Sequence, residues 1–549
     1  MAGARAQFGG FSGFGSNVVL QTPKSLGGMV TSPHHLASQA GLAVLREGGN
    51  AIEAAVAVAA ALSVVAPHMT GLGGDAFWLI AEPGKPPLSI DGSGAACAAC
   101  DIALMRACGL DSVPTRGPLA TITVAGAVSS WQLALDVSAQ WGGEMPLSRL
   151  FADACRLARD GFAITRHQAT ATRRGLAPLA AQPGFAATFL AKGRIVPEAG
   201  GLWRLPALAD TLDRLAAAGL DDFYRGDVAR SLAEDLKAAG SPLRADDLAR
   251  HRGMRRRPLS LALTAGTLYN TAPPTQGLAS LILLGIFQRL EAAEAGTAEW
   301  IHLMAEAAKQ ALAVRDGVIG DPAQMRVHAA TYLTEPLLDR MAAAIDRRHA
   351  APWGEPEIDG DTVWLGVIDG QGRAVSCIQS LCHAYGSGVV LPGTGIAWHN
   401  RATAFRLEPG HPNALEPRRR PLHTLSPALA RLKDGRTLVW GSMGGDAQPQ
   451  VQAQIFARAA LGGAELQDAV SAPRFALRSG FDGGGAPSLK LESRFAIEVA
   501  ERLQSFGHRV EILGPFDSLV GQAGALARRA DGVIEGAADP RGDGSVAAF

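Results

Sequence analysis

A single threonine, about two thirds of the way along the chain, has the setting of an enzymatic nucleophile. Thr362 follows the polar pair Gly360-Asp361 and opens a largely apolar run. A Gly370–Arg373 turn and a second apolar run at 374–381 follow, so the pattern predicts a β-hairpin with Thr362 at the start of its first strand. A threonine hydroxyl needs an adjacent base, and cleavage of the chain before Thr362 would supply its own α-amine as that base. The alternative is that Thr362 is an ordinary β-branched strand residue.

The elements that must position this hairpin differ on its two sides. Ala- and Leu-rich runs before the hairpin predict helices, whereas strand-like runs dominate after it, and together they predict a layered α+β fold. A polar stretch at 349–361 is expected to be an exposed linker. The predicted helices are 51–67 (capped by Asn50), 147–158, 205–218, 227–239, 276–295, 299–316, 449–461 and 497–505, and the predicted strands are 362–369, 374–381, 429–432, 437–441, 510–513 and 525–529.

Composition excludes several classes of function. The chain has 549 residues, 47% of them hydrophobic, and 51 basic residues balance 51 acidic ones. The zero formal charge gives no electrostatic footprint for nucleic acid or an anionic membrane. No apolar signal-peptide core is evident among the first twenty residues, and Cys97 and Cys100 lack a second pair of ligands for a metal. We therefore expect a cytoplasmic protein with no metal site at Cys97 and Cys100, and with no nucleic-acid or membrane partner.

Nine short segments resemble, in the same order, the γ-glutamyltransferase family of N-terminal-nucleophile hydrolases. This resemblance implies a four-layer αββα sandwich. It also implies self-cleavage between Asp361 and Thr362, which gives a large chain (1–361) and a small chain (362–549) that share one core as a heterodimer, or as a dimer of such heterodimers. The segments are GMVTSPH at 28–34, LREGGNAIEA at 45–54, GLGGDAF at 71–77, LARDGF at 157–162, APPTQG at 272–277, GDP at 320–322, GSMGGD at 441–446, APRF at 472–475 and ADPR at 538–541.

The resemblance assigns roles to four residues of the reaction centre. Thr362 would be both nucleophile and base, so the resemblance implies that neither a metal nor an organic cofactor is needed. The hydroxyl of Ser380 would hydrogen-bond to Thr362. Backbone N–H groups of Gly444 and Gly445 would stabilise the oxyanion, since glycine lets the backbone approach the substrate closely. The alternatives are a simple Gly-Gly turn and a serine at a strand end.

The chain departs from the transpeptidase pattern at the positions that bind a γ-glutamyl donor. The family's carboxylate-binding Arg is replaced by Ser93, its ammonium-binding Asp by Ala404, and its Ser pair by His423-Thr424. Val363 stands where transpeptidases carry a second Thr. Loss of one charged partner leaves a ligand charge desolvated and unpaired, which costs about 3–5 kcal/mol. Glutathione is therefore disfavoured as the substrate.

The replacements resemble an amidohydrolase branch of the same family. In this interpretation Arg401, with His423 and Thr424, binds the carboxylate of a small anionic amide such as oxamate, which Thr362 hydrolyses through an acyl-enzyme. Arg401 could instead pair with Glu408 or another internal acid, and His423 could be structural. The other functions left open are an acylase for a larger glutaryl- or cephalosporin-type amide, a γ-glutamyl hydrolase or transpeptidase, and a catalytically silent binding protein.

Overall fold

Two seven-stranded antiparallel sheets form the centre of the computed structural model, which describes residues 20–292, 294–353, 360–479 and 487–549. We call the sheet that contains the predicted hairpin the hairpin sheet, and the other the facing sheet. In spatial order the hairpin sheet consists of Ser545–Ala548, Gly28–Ser32, Asp361–Asp369, Ala374–Cys382, Asp75–Ala81, Leu88–Gly92 and Met254–Arg256. The facing sheet consists of Lys24–Ser25, Ile534–Ala538, Ala523–Arg528, Thr437–Ser442, Ala428–Leu432, Gly266–Asn270 and Leu259–Leu263.

The predicted hairpin is present, and each of its strands is one residue longer than expected. The pairing shifts at its open end: Asp361 lies opposite Cys382, but Val363 lies opposite Gln379. One extra residue on the second strand therefore lies opposite Thr362, which is a β-bulge. Bulges re-aim side chains and are frequent beside active sites.

Residue alternation along the hairpin determines which side chains lie between the two sheets. Trp364 and Ile368 pack against Leu429 and Val439 of the facing sheet. The intervening residues Val363, Leu365 and Val367 belong instead to the core on the outer side of the hairpin sheet. Because alternate residues of a strand share a face, Thr362 points between the sheets with Trp364.

The two sheets approach closely at Trp364. Its indole lies over Gly441 and Gly524 of the facing sheet, and a Cβ at either glycine would clash with the ring. The indole Nε1 donates a hydrogen bond to Ser376 Oγ (2.9 Å) on the neighbouring strand. The ring is thus fixed in both position and orientation.

Helices cover the outer face of each sheet, so the predicted α+β fold, a four-layer αββα sandwich, is confirmed. Over the hairpin sheet lie His35–Arg46, Ala51–Val65, Ile102–Ala107, Ala127–Gln140, Leu147–Leu150, Ala152–Asp160, Arg166–Arg174, Leu176–Ala180, Phe185–Phe189, Pro206–Ala218, Asp222–Arg225, Asp227–Ala239 and Ala245–Arg250. Over the facing sheet lie Gly277–Phe287, Ala298–Val318, Glu335–Ala343, Ala447–Phe456, Leu466–Ser471 and Ile497–Ser505. Smaller sheets pair Phe162–Ala163 with Leu202–Trp203, Val390–Leu391 with Ile396–Ala397, and Phe475–Arg478 with Ser488–Glu492 and Val510–Leu513.

Two helix predictions were wrong in extent, and the other predicted elements begin and end within two residues of their expected positions. The helix expected at 147–158 breaks at Phe151, whose ring is buried against Trp131 (5.8 Å between centroids). The helix expected at 276–295 ends at Phe287, and Glu291 then adopts a left-handed conformation (φ 45°). The helix expected at 449–461 begins at Ala447, and its last turn is a π-helix at Ala457–Leu461.

The linker prediction is only partly open to comparison. Residues 354–359 lie outside the described residues, but Gly360 is buried and Asp361 already belongs to the hairpin strand. The last two residues of the stretch are therefore not exposed linker, because sheet pairing extends to Asp361. No helix in the described ranges combines the length and the apolarity needed to cross a bilayer.

Candidate active site

The bulge brings Ser380 between Thr362 and the carbonyl that precedes it. Thr362 Oγ1 donates to Ser380 Oγ (3.1 Å), and Ser380 Oγ donates to the carbonyl oxygen of Asp361 (2.6 Å). Ser380 Oγ also accepts from the N–H of Cys382 (2.8 Å), so its one donor and two acceptor positions are all used. Thr362 is 1% exposed. This geometry orients the threonine hydroxyl and polarises the peptide carbonyl between Asp361 and Thr362.

The glycine pair occupies a left-handed turn beside that peptide. Gly444 (φ 115°) and Gly445 (φ 54°) connect strand Thr437–Ser442 to helix Ala447–Phe456. A Cβ built on Gly360 would lie 3.7 Å from the Cα of Gly445. In the part of the chain that the structure describes, neither glycine N–H donates a hydrogen bond. Two backbone donors are therefore available next to the peptide between Asp361 and Thr362, as an oxyanion site at this position would require.

A buried glutamine ties this turn to the predicted substrate residues. Gln276 Nε2 donates to the carbonyl oxygens of Thr424 (2.6 Å) and Gly445 (2.8 Å), and its Oε1 accepts from Arg315 Nη1 (2.9 Å). Arg315 is in turn paired with Asp446 (Nη2–Oδ2 3.0 Å). Burial opposes the charge of Arg315, but Asp446 and Asp316 raise its pKa above the ordinary value. The sequence analysis missed this role, although Gln276 lies within the APPTQG segment.

Arg401 is a buried guanidinium with an unused donor. It begins the short 3₁₀-helix Arg401–Ala404 and is 1% exposed. Its Nη1 donates to Thr424 Oγ1 (3.3 Å), whereas Nη2 has no hydrogen-bond partner within the described ranges. Over the same residues no ion pair joins Arg401 to Glu408 or to any other acid. A buried cation is normally paired, so Arg401 and Thr424 form a place where a small carboxylate would be stabilised.

Cys382 lies opposite Asp361 at the open end of the hairpin, and the sequence analysis did not identify it. It has a left-handed backbone (φ 81°), and its Sγ lies 3.5 Å from His383 Nδ1 and 3.9 Å from Thr403 Oγ1. Burial raises the pKa of this thiol, but Arg401 and His383 outweigh it and lower the pKa to about 6. The side chain is therefore mostly thiolate at neutral pH. Cys97 and Cys100, which the sequence singled out, lie buried in the core.

His423 lies behind the site, packed in the core. It is fully buried, with its ring edge-on to Phe77 (5.0 Å) and its Nε2 3.5 Å from Asp75 Oδ2. Burial, with Arg401 and His399 nearby, holds its pKa well below the ordinary value. Neutral His423 therefore faces Asp75, whose other oxygen accepts from the N–H of Gly126 (3.0 Å).

The positions that bind a γ-glutamyl donor in transpeptidases carry no charge here. Ser93 is buried and donates to Asp91 Oδ1 (2.5 Å). Ala404 is buried as well. Neither side chain can pair with the charged groups of an amino acid.

A cavity of about 750 Å³ opens beside the peptide that joins Asp361 to Thr362. Gly360, Asp361 and Gly444 line it on that side. Arg401, His423 and Thr424 are not among the described residues that line it. Among the described residues, the lining includes five arginines and two acids, Asp361 and Asp543; the arginines are Arg116, Arg166, Arg174, Arg478 and Arg541.

One cluster elsewhere has the composition of a metal site. Among the described residues, ligand atoms of His302, Glu306 and His508 lie within 4.8 Å of one another. They are already engaged: His302 Nδ1 bonds to His508 Nε2 (2.8 Å) and His302 Nε2 to the carbonyl of Asp346 (2.8 Å), while Glu306 pairs with Lys309 (2.6 Å). The N–H of Ala351 also donates to Glu306 Oε2 (3.1 Å). The cluster therefore holds segment 346–351 in place.

Comparison with known proteins agrees with this geometry. Residues 37–549 match the family model described as gamma-glutamyltranspeptidase. The chain is 51% identical to an oxamate amidohydrolase proenzyme of Klebsiella pneumoniae over 95% of its own length and 98% of that protein. It is 36% identical to a glutathione hydrolase-like proenzyme of Bacillus subtilis, covering 94% of this chain and 98% of that one.

A solved structure supports the same assignment. A cephalosporin acylase from Bacillus halodurans superimposes with a TM-score of 0.89 and 31% identity, covering 99% of each chain. The family predicted from the nine sequence segments is confirmed. The chain belongs to the gamma-glutamyltranspeptidase family and is a hydrolase of amide bonds.

Proposed function

We propose that the chain cleaves itself between Asp361 and Thr362, and that the exposed N-terminal threonine then hydrolyses a small anionic amide such as oxamate. The observation that carries this proposal is the hydrogen-bonded series from Thr362 Oγ1 through Ser380 Oγ to the carbonyl of Asp361. It places a nucleophile and a polarised peptide carbonyl on adjacent residues.

Self-cleavage follows from that geometry. Thr362 Oγ attacks the carbonyl carbon of Asp361, and the peptide C–N bond breaks as the nitrogen takes a proton and becomes the α-amine of Thr362. Ser380 holds the carbonyl oxygen as negative charge develops on it. Water then hydrolyses the ester, which releases the carboxylate of Asp361 and restores the hydroxyl of Thr362.

The mature reaction uses the same oxygen with a new base. A free α-amine has an ordinary pKa of about 7.7–8.0, so part of it is unprotonated near neutral pH and can take the hydroxyl proton. Thr362 Oγ then attacks the amide carbonyl while the N–H groups of Gly444 and Gly445 stabilise the oxyanion. The proton passes to the leaving nitrogen, and water hydrolyses the acyl-enzyme.

The buried donors beside this centre support a carboxylate-bearing substrate. Among the described residues, Arg401 makes one long hydrogen bond, to the neighbouring Thr424, and its Nη2 has no partner. The 51% identical Klebsiella protein is named for hydrolysis of oxamate, which has one carboxylate next to its amide carbonyl. We place His423 behind Arg401 as a neutral packing residue, which revises the direct contact suggested by the sequence.

The strand order supports a tight heterodimer of residues 1–361 and 362–549. The hairpin at the start of the small chain pairs with Gly28–Ser32 on one side and Asp75–Ala81 on the other, both from the large chain. Separation of the chains would break these two rows of buried hydrogen bonds. The predicted cytoplasmic location remains a prediction that fractionation of producing cells would test.

The first test compares wild type with Thr362→Ala on a denaturing gel and by intact mass, and then measures ammonia release from oxamate and from glutamine. We expect two fragments divided at Asp361/Thr362 in wild type alone, and ammonia from oxamate. An intact wild-type chain after prolonged folding would refute self-cleavage. Cleavage without oxamate turnover would keep the nucleophile and reject the substrate.

A larger amide is the second candidate, because one observation favours it. The cavity of about 750 Å³ beside Asp361 is far larger than oxamate requires, and sites of this size normally hold drug-sized ligands. The Bacillus halodurans relative is named a cephalosporin acylase. Release of 7-aminocephalosporanic acid from a glutaryl cephalosporin, assayed beside oxamate, separates the two candidates.

A further inference from the structure

Two of the nine sequence segments have no part in the proposed mechanism, yet the fold brings their charged residues together. Arg474 belongs to the segment APRF, and Asp539 and Arg541 belong to ADPR. With Glu492 they form a group that we call the buried ion network, in which no residue is more than 7% exposed. Removing charges from water is costly, so such a network calls for a structural or functional explanation.

The members of the buried ion network are bonded directly to one another. Arg541 pairs with Glu492 (Nη2–Oε2 2.7 Å) and with Asp539 (Nη1–Oδ1 3.0 Å), and Arg474 pairs with Asp539 through its Nη2. Burial opposes the charge of Asp539, but Arg474 and Arg541 hold the pKa of this carboxyl below its ordinary value. Asp539 is therefore ionised at neutral pH and binds both arginines.

Arg474 bonds to the backbone of a neighbouring loop. We call residues 517–522, which lead into strand Ala523–Arg528, the contact loop. Arg474 Nη1 donates to the carbonyl oxygens of Gly521 (3.0 Å) and Val520 (3.3 Å). Because the guanidinium is itself held by Asp539, it fixes the position of the second half of this loop.

The two acids of the network hold the ends of the same loop. Glu492 Oε1 accepts from the N–H of Asp517 (3.1 Å), where the contact loop begins. Asp539 Oδ2 accepts from the N–H of Ala523 (2.6 Å), where the loop enters its strand. The buried ion network thus bonds to the contact loop at its start, near its middle and at its end.

The contact loop is in turn bonded to the turn that carries the glycine pair. The N–H of Met443 donates to the carbonyl oxygen of Gln522 (3.0 Å), and Ser442 Oγ donates to the same oxygen (3.1 Å). A Cβ built on Gly444 would lie 3.8 Å from the Cα of Gly521. Two hydrogen bonds and a packing contact therefore join the loop to the turn.

We propose that the buried ion network positions the oxyanion donors, with Arg474 as the positioning residue that acts through the contact loop. The inference rests on the proposed function and deepens it. Groups that stabilise a transition state must be held within about 0.5 Å of their productive geometry by their surroundings. Gln276 holds the carbonyl of Gly445, and the network, through the carbonyl of Gln522, holds the N–H of Met443.

The fork of the Arg474 guanidinium is what allows it to hold the loop. It bonds at the same time to Asp539, to the carbonyl of Val470 (2.7 Å) and to the contact loop. The ammonium of a lysine is a point charge on a flexible stem and cannot span these partners. Arg474→Lys therefore keeps a positive charge beside Asp539 but should loosen the contact loop.

Arg458→Lys is the matched control. Arg458 is also buried, and its Nη2 donates to the carbonyl of Pro473 (2.9 Å), next to Arg474. Within the described ranges it makes no hydrogen bond to the contact loop. The same substitution at Arg458 therefore reports any general effect of placing lysine in this part of the core.

Hydrogen exchange tests the positioning without any turnover. It is measured by mass spectrometry in the uncleaved Thr362→Ala chain, in peptides that contain Met443. The N–H of Met443 should exchange about tenfold or more faster in Arg474→Lys, since a hydrogen bond from a charged donor contributes about that factor, and at the wild-type rate in Arg458→Lys. An unchanged rate in Arg474→Lys, or an equal acceleration in both variants, overturns the inference.

Turnover by the cleaved enzyme gives a second readout. Oxyanion donors act more strongly on the transition state than on the bound substrate, so kcat for oxamate should fall about 10–100-fold in Arg474→Lys while KM changes little. Arg458→Lys should match wild type. A change confined to KM would contradict the proposal. If wild type does not hydrolyse oxamate, the proposed substrate fails, and the exchange result alone supports or overturns the positioning.

A second variant decides the case in which Arg474→Lys does not fold. Gly521→Ala leaves every ion pair intact, but Gly521 has a left-handed backbone (φ 84°). Its added Cβ would lie 2.5 Å from Ser442 Oγ and 3.2 Å from the carbonyl oxygen of Met443. It should therefore push the contact loop away from the turn and reproduce the faster exchange at Met443 and the lower kcat. Wild-type values of both in Gly521→Ala would refute the inference.

Discussion

Replacement of Arg401 by methionine should weaken catalysis and strengthen the fold at the same time. Arg401 is 1% exposed, makes one 3.3 Å hydrogen bond to Thr424, and has an Nη2 without a partner in the described residues. A structural arginine would be held by several bonds or by an acid. An arginine kept for a ligand instead stays under-satisfied until that ligand binds.

The two effects can be estimated separately. Removal of one member of a buried charge pair with substrate costs about 2–5 kcal/mol, so kcat/KM for oxamate should fall at least about 30-fold. In the unliganded chain the change removes a desolvated charge, whose replacement by a packed apolar side chain stabilises by about 1–4 kcal/mol. Loss of the bond to Thr424 subtracts about 1 kcal/mol. We therefore expect the free energy of unfolding to rise by up to about 3 kcal/mol.

The pH dependence of the stability gained in Arg401→Met tests whether the gain comes from removing the charge of Arg401. Above pH about 6 the Cys382 thiolate partly balances Arg401, whereas below it the thiol is neutral and the guanidinium is uncompensated. The stabilisation by Arg401→Met should consequently be greater at pH 5 than at pH 8.

Two assays with one matched control test this reasoning. Urea unfolding is measured in the uncleaved Thr362→Ala background, with and without Arg401→Met, and oxamate hydrolysis is measured in the cleaved enzyme. Arg406→Met, a partly exposed change in the same segment, should alter both quantities little. Loss of about 2 kcal/mol or more of stability together with nearly unchanged kcat/KM would show that Arg401 is structural.

Three further changes probe the reaction centre. Ser380→Ala should slow the appearance of the two fragments on a time-course gel by about 10²–10³-fold, since it removes the donor to the Asp361 carbonyl, and an unchanged rate would contradict this. Gln276→Leu removes the side-chain donor that holds the carbonyls of Gly445 and Thr424. The Gly444-Gly445 turn should then lose its fixed position, so kcat for oxamate should fall about 100-fold. Full activity would show that Gln276 does not position this turn. The ultraviolet thiolate absorbance of wild type minus Cys382→Ser should titrate with a midpoint of about 6 and move upward in Arg401→Met, and a midpoint near the ordinary 9.0 would refute the thiolate. Between pH 6 and 9 the folded chain binds fewer protons at this thiol than the unfolded chain, so its contribution to stability rises with pH and is lost as pH falls through 6.

Local pattern was enough to predict the hairpin and most of the elements around it. The hairpin is marked by a polar pair before its first strand, by two apolar runs and by a glycine-containing turn between them. Each of these signals involves only a few neighbouring residues. The helix expected at 147–158 failed because burial of Phe151 against Trp131 overrides helical continuity, and that contact joins residues on different elements. The resemblance supplied Ser380 and the glycine pair.

Contacts between residues far apart in the chain could not be predicted from the sequence. Gln276 bonds to Thr424 and Gly445, which follow it by 148 and 169 residues, so nothing in its own segment indicates the clamp. In the sequence, Arg166 and Arg174 look like part of an ordinary polar helix face. Only the folded chain shows that both line the cavity beside Asp361. The low pKa of Cys382 likewise depends on Arg401, which only the folded chain brings near.

The indole of Trp364 fixes the spacing of the two sheets independently of the residues that line the cavity. Trp364 lies two residues after Thr362, the proposed nucleophile, and Gly441, against which its ring packs, lies three residues before Gly444. The ring therefore sets the distance between the two sheets, and with it the separation between Thr362 and the proposed oxyanion donors Gly444 and Gly445. The arginines of the cavity come from outer helices and loops, so mutation there can retune specificity while the ring keeps the reacting groups in register. Substitutions among the cavity-lining residues can therefore change which amide is bound. A substitution at Gly441 cannot, because any side chain there would collide with Trp364.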